Sequence, residues 1–169
     1  MFRVINNYLN NDDFFKTIKI INSPKVNWFF NTNFLYKGIE QTKQISHVLL
    51  NDLIKSTSEN RIETNPIAMS ILQELLKELK ATTVTKAQLK LISKSNDIAD
   101  FPFTENNQDT LTAIMYLNKN NGYTYVEGMG KINSEENRVV IFPSNTHYFE
   151  SSCTDNDYRA LLVIEYSVD

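Results

Sequence analysis

At Val84 the hydrophobic pattern of this chain changes period, and that change limits what the chain can fold into. Before it, two stretches place apolar residues at helical spacing. The first runs from Asn11 to Ile21, with Asn11 or Asp12 as its candidate cap. The second opens at Pro66, a residue whose fixed φ suits a first helical turn. There Ile67, Ile71, Leu75, Leu76 and Leu79 form one stripe, while Glu74 and Glu78 face outward near Lys77 and Lys80. Lys25 to Phe30 and Ser46 to Leu50 are shorter apolar pieces that periodicity does not assign. After Val84 the chain breaks into short runs separated by Asn, Asp, Gly, Ser and Pro: Gln88 to Ser93, Leu111 to Leu117, Tyr123 to Val126, Arg138 to Phe142 and Arg159 to Tyr166. Helices followed by strands predict a mostly β protein with flanking helices, an antiparallel sandwich or jelly roll with the helices on one outer face.

The 169 residues, 41% of them hydrophobic, can bury one sizeable core but not two domains and a linker. The expected organisation is one domain over 1–169, helical to about residue 83 and a jelly-roll core from about 84 to 169. A net charge of -3 without blocks of like charge gives no strong nucleic-acid signal. No apolar stretch reaches membrane-spanning length and Met1-Phe2-Arg3 opens no signal peptide, so a soluble, cytoplasmic protein is expected. Cys153 is the only cysteine, which excludes an internal disulfide and a zinc ribbon.

Four pieces then follow in order: Met115-Tyr116-Leu117-Asn118; Gly122-Tyr123-Thr124; Asn137-Arg138-Val139-Val140-Ile141-Phe142-Pro143; and finally His147 and Arg159. In this order they resemble the metal- and co-substrate-binding half of the 2-oxoglutarate/Fe(II) oxygenases, especially the small prolyl-hydroxylase-like forms common in phage genomes. The resemblance spans about Gln88 to the C-terminus. It implies a double-stranded β-helix jelly roll that holds Fe(II) with two imidazoles and one carboxylate and leaves open positions for 2-oxoglutarate and dioxygen. The family's H-x-D unit matches Ile98-Ala99-Asp100, its second histidine matches His147, and its 2-oxoglutarate arginine matches Arg159. Asp100 and His147 are thus the implied metal residues and Arg159 the implied co-substrate residue, but Ile98 stands where the first histidine belongs. A tyrosine that helps hold 2-oxoglutarate in many members is matched by Met115, with Tyr116 expected on the opposite sheet face.

Each candidate also has a plainer reading. His147 suits a capped surface histidine after a Pro-Ser-Asn turn, and Asp100 suits a turn aspartate. Arg159 opens an alternating strand that puts Arg159, Leu161, Val163 and Glu165 on one face and Ala160, Leu162, Ile164 and Tyr166 on the other. If it points inward it needs a partner, either a co-substrate carboxylate or an internal one such as Glu165 or Asp100. His47 is a further candidate as a substitute ligand. Cys153 has no histidine to activate it, and Gly122, Gly128 and Gly130 lack the context of a phosphate loop.

Two function classes remain. One is an oxygenase that decarboxylates 2-oxoglutarate and hydroxylates a peptide or small molecule. The other is a non-catalytic jelly roll that binds protein partners, for example a viral (phage) structural or accessory protein in the host cytoplasm or the virion. In either case Asp100, His147 and Arg159 are expected to converge on one interior cavity lined by Ile98 and Met115.

Overall fold

The computed structural model describes residues 2–30, 48–56, 62–98, 100 and 109–168. Two helices, α1 (Asn11–Ile21) and α2 (Ala68–Leu79), accompany eleven strands among the described residues. The strands are β1 (Arg3–Ile5), β2 (Phe29–Phe30), β3 (Val48–Ser56), β4 (Ile62–Thr64), β5 (Thr83–Ser93), β6 (Leu111–Tyr116), β7 (Tyr123–Val126), β8 (Gly130–Asn133), β9 (Arg138–Pro143), β10 (Tyr148–Glu150) and β11 (Tyr158–Ser167). The large sheet runs β1-β9-β6-β11-β5-β3-β2, with β4 paired to β3, and the small one runs β10-β7-β8. Every pairing between these strands is antiparallel. The architecture is the expected jelly roll with helices on one face.

β11 lies between β5 and β6, covered on both faces, and Ala160 to Ile164 is accordingly an unbroken apolar run. On the helix side Ala160, Leu162, Ile164 and Tyr166 pack with Met115, Leu89 and the α2 residues Ile71, Leu72, Leu75 and Leu79. On the other side Leu161 and Val163 pack with Ile92, Ile114, Tyr116, Phe142, Val126, Ile132 and Tyr148, filling the space between the two sheets. The two faces of Arg159 to Tyr166 are therefore those that the alternation predicts. Each buried Leu or Ile contributes about 1.5–3 kcal/mol, so the α2 stripe alone is a large share of a domain's net stability.

Helix α1 occupies the expected residues, but its cap is Asn10, whose Oδ1 accepts the Asp13 N–H at 3.0 Å. Asp12 and Asp13 in the first turn complement the positive end of the helix. Helix α2 starts at Ala68, two residues after Pro66, with Asn65 Oδ1 accepting the Ile67 N–H at 3.0 Å. It ends on Lys80 in the left-handed conformation, φ 54°.

The stretch expected to be helical up to residue 83 also supplies strands β1 to β4. The nine-residue β3 is the main difference. Its Asn51-Asp52 pair looks like a turn in sequence, whereas in the sheet it coincides with a register shift between Asp52 and Ile54, where Asp52 Oδ1 accepts from Gln88 Nε2 at 2.6 Å. The N-terminal segment is clasped by Asn137, which receives the Leu9 N–H on Oδ1 at 3.0 Å and donates Nδ2 to the Leu9 carbonyl at 2.8 Å. No described helix is long and apolar enough to cross a membrane.

Candidate functional site

Among the described residues the buried charged ones are Arg159, Lys90, Glu150 and Glu165. Arg159 is fully enclosed. Its Nε donates to Ser134 Oγ at 2.7 Å, its Nη1 to the Ser151 carbonyl at 3.0 Å and its Nη2 to Thr124 Oγ1 at 2.9 Å. The guanidinium carbon lies 5.5 Å from the centre of the Tyr116 ring, within cation–π range. Burial pulls the Arg159 pKa below its ordinary value, while the nearby Tyr116 and Glu150 act in the opposite direction. An arginine starting from so basic a value remains charged. Burial likewise raises the Tyr116 phenol, which Arg159 partly offsets.

None of the three groups that accept hydrogen bonds from Arg159 is a carboxylate. Glu165, expected as one internal partner, pairs instead with Lys86 at 3.2 Å. Glu150 is bound through both oxygens by Lys90 Nζ, at 3.1 and 3.0 Å. Sequence reading missed this pair. Its signal was the alternation in β5, which puts Lys90 on the same face as the inward Ile92.

Asp100 forms an isolated bridge with Ser151 and accepts the Tyr123 hydroxyl on Oδ1 at 2.6 Å. The Tyr123 phenol is raised above its ordinary value, first by burial and then by this bond to Asp100, so it stays protonated as a donor. The Tyr123 ring contacts Phe149 and sits under Lys131 Nζ at 4.1 Å. By strand alternation this is the face of the small sheet opposite Thr124, the residue that meets Arg159. His147 is half exposed at the other end of β10 from Ser151, about four residues or roughly 13 Å of extended chain away. Its Nδ1 is 3.4 Å from Glu127 Oε2.

The expected convergence of Asp100, His147 and Arg159 is therefore not what the structure contains. Ile98 does not line the interior but is 40% exposed. Met115 faces the helices, and Tyr116 is the residue that faces inward beside Arg159. The reason is register: Tyr116 pairs with Leu161 and Met115 with Leu162, so Tyr116 shares the face of Leu161 and, two residues earlier, of Arg159. His47 lies outside the described residues. Cys153 is buried and its thiol is pushed up by that burial, so it has the character of a packed loop residue.

Among the described residues no three His, Cys, Asp or Glu side chains come together as metal ligands do. Asp100 and His147, each already engaged and apart from the other, do not fit the two-imidazole, one-carboxylate set that Fe(II) takes in this chemistry. A cleft of about 640 Å³ opens instead on the helix side of the large sheet, between the end of α1 and the start of β11. Trp28, Ile21, Leu91, Leu117 and Ala160 line it, with Glu136 as its charged residue.

No family model matches the chain, and no curated protein matches it in sequence. Solved structures do. A 2OG-Fe(II) oxygenase-family oxidoreductase from Burkholderia pseudomallei superposes with a TM-score of 0.73 at 11% identity, covering 98% of this chain and 85% of the other. A prolyl hydroxylase from Trichoplax adhaerens, solved with a peptide fragment of the hypoxia inducible factor oxygen degradation domain, gives 0.58 at 15% identity over 98% and 83%. A prolyl-4-hydroxylase from Pseudomonas putida gives 0.57 at 12% identity over 99% and 92%. The chain has the jelly-roll fold of the 2-oxoglutarate/Fe(II) oxygenases and prolyl hydroxylases.

Proposed function

We propose that this protein descends from a 2-oxoglutarate/Fe(II) hydroxylase, that its metal site has degenerated, and that the jelly roll now acts as a binding or assembly module. The observation that carries the reading is the state of the three matched ligand positions. Ile98 offers no donor, Asp100 accepts the Tyr123 hydroxyl, and His147 pairs with Glu127 away from it. Packing motifs kept while a metal ligand is lost are what reuse of a fold for binding produces. The concave apolar surface on the helix side, on the face of the large sheet opposite Arg159, supports the same reading. A viral structural or accessory role, with protein partners, fits this use of the fold.

The test is anaerobic titration of the natural protein and of Ile98→His with Fe(II), followed by 2-oxoglutarate and then oxygen. The expected result is no tight iron binding and no succinate from the natural protein. Tight binding with succinate release would overturn the reading. It would return Asp100 and His147 to the metal, Arg159 to the co-substrate, and a peptide or small molecule to the role of substrate, as the peptide complex of the Trichoplax hydroxylase suggests.

A further inference from the structure

We propose that Arg159 is an internal tie, committed to the protein's own oxygens, and that the space between the sheets is closed to 2-oxoglutarate even when no metal is required. This deepens the reading of a jelly roll without oxygenase chemistry and rests on it.

Three observations carry the inference. The first is how Arg159 is satisfied. Its three hydrogen bonds end on Thr124 in β7, Ser134 just after β8 and Ser151 just after β10, while its face lies toward Tyr116 in β6. One side chain of β11 thus joins the large sheet to the small one. The second is the enclosure of its aliphatic stem. A Cβ built on Gly122 would come within 2.7 Å of Arg159 Cδ, so the backbone between β6 and β7 is pressed directly onto the side chain.

The third is how the acceptors are held. Asn121 donates its backbone N–H to Asp155 Oδ1 at 2.9 Å and its Nδ2 to Thr154 Oγ1 at 2.7 Å, and receives the Thr154 N–H on Oδ1 at 2.9 Å. Asn156 Nδ2 reaches the Lys119 carbonyl at 3.1 Å, and Asn118 joins the Tyr158 carbonyl and the Ala160 N–H, both at 2.8 Å. This asparagine-rich latch fastens the loop before Gly122 to the loop after Ser152. Ser151 itself is held to β7, its N–H donating to the Tyr123 carbonyl at 2.9 Å and its Oγ accepting the Tyr123 N–H at 2.8 Å, which sets its carbonyl in front of the guanidinium.

The three bonds use three of the five guanidinium N–H donors, and because the side chain is completely buried, a co-substrate carboxylate could reach the fork only by displacing these oxygens and leaving the buried Ser134 and Thr124 hydroxyls without the Arg159 donor. That loss offsets the gain from a charged bond. Glu150 is the carboxylate already at hand, and Lys90 holds it. Tie and pocket are therefore exclusive uses of the same side chain.

The experiment measures thermal unfolding of the natural protein, Arg159→Lys, Thr124→Val and the double variant, each with and without millimolar 2-oxoglutarate and without added metal. 2-Oxoglutarate is expected to leave the midpoint of the natural protein unchanged within about 1 °C. Arg159→Lys, which keeps the charge and loses the planar fork, is expected to lower it by roughly 5–10 °C. Thr124→Val is expected to cost less in the lysine background than in the natural one, since its partner has gone. A rise with 2-oxoglutarate that Arg159→Lys abolishes would overturn the tie, and so would strictly additive losses. Binding of 2-oxoglutarate without iron would sink this inference and leave the degenerate metal site standing. Iron-dependent turnover, read in the separate Fe(II) titration, would sink the functional reading itself.

Discussion

Gly122 packs its bare Cα against the Arg159 side chain, with the Ser152 carbonyl and Asn120 Oδ1 closing the other sides. A Cβ there would lie 2.7 Å from Arg159 Cδ, 2.7 Å from the Ser152 oxygen and 2.8 Å from Asn120 Oδ1. The constraint is space rather than backbone conformation: Arg159 cannot move without breaking the tie, and Asn120 Oδ1 accepts the Gly122 N–H itself at 2.9 Å. Gly122→Ala should destabilise by about 1–3 kcal/mol, the usual range for overpacking. Gly130→Ala meets no atom within 4 Å, so whatever it loses comes from its φ of +84° alone. Chemical denaturation of the two variants compares crowding with backbone strain. Unchanged stability in Gly122→Ala would show that this contact is loose.

Asn137 combines two roles that substitutions can separate. Its φ of 58° lies in the left-handed region, and its amide makes both bonds to the backbone of Leu9. Asn137→Gly keeps the backbone free to adopt that φ and loses the clasp, whereas Asn137→Ala loses both. The alanine variant should fall by about 2–4 kcal/mol and the glycine variant by less, from the summed scale of left-handed strain and unsatisfied backbone groups. Equilibrium unfolding of both, with hydrogen exchange at Leu9, provides the check. Faster exchange at Leu9 is expected in each.

Lys90 and Glu150 form a buried pair 3.0 Å apart between the sheets. Lys90→Met alone strands the Glu150 carboxylate and should cost about 3–5 kcal/mol, while Lys90→Met with Glu150→Leu should recover most of it. Recovery by the double variant is the decisive measurement. If the double variant is as unstable as the single, Glu150 is needed for Arg159 as much as for Lys90.

Alkaline pH should unfold the protein through its buried phenols. Burial pushes Tyr166 up to about 12 from its ordinary 10, and raises Tyr116 in the same direction. The folded state thus keeps protons that the unfolded chain releases above pH 10. Stability is fully present below pH 10 and falls as pH rises through 12. Ultraviolet titration should show late, cooperative phenolate formation, and Tyr166→Phe should flatten the fall. Phenolate appearing near pH 10 for every tyrosine would contradict it.

The nature of α1, α2, β5, β6, β7, β9 and β11 was legible from the sequence because it is a local property, whereas β1 to β4, β8 and β10 were not among the expected strands. Residues three and four apart on α2, or two apart on β11, carry their own record of which face is apolar, and the change of period at Val84 announced the sheets. The ordered motifs from Tyr116 to Arg159 likewise pointed to the jelly roll. Several of these motif residues turned out to be structural: Asn118 belongs to the latch, Asn137 makes the clasp, and Gly122 leaves the space for Arg159. Tertiary structure alone decided what depends on pairing between distant segments. A one-residue difference in register put Tyr116, not Met115, beside Arg159, and the pairing of Lys90 with Glu150 joins residues 60 apart in the chain. Asp100 and His147 were separated in the same way, by which residue of each strand meets its neighbour. Hydrophobic periodicity fixes the face of a residue within its own strand, but the partner across the sheet is selected only when all the strands close on a common core.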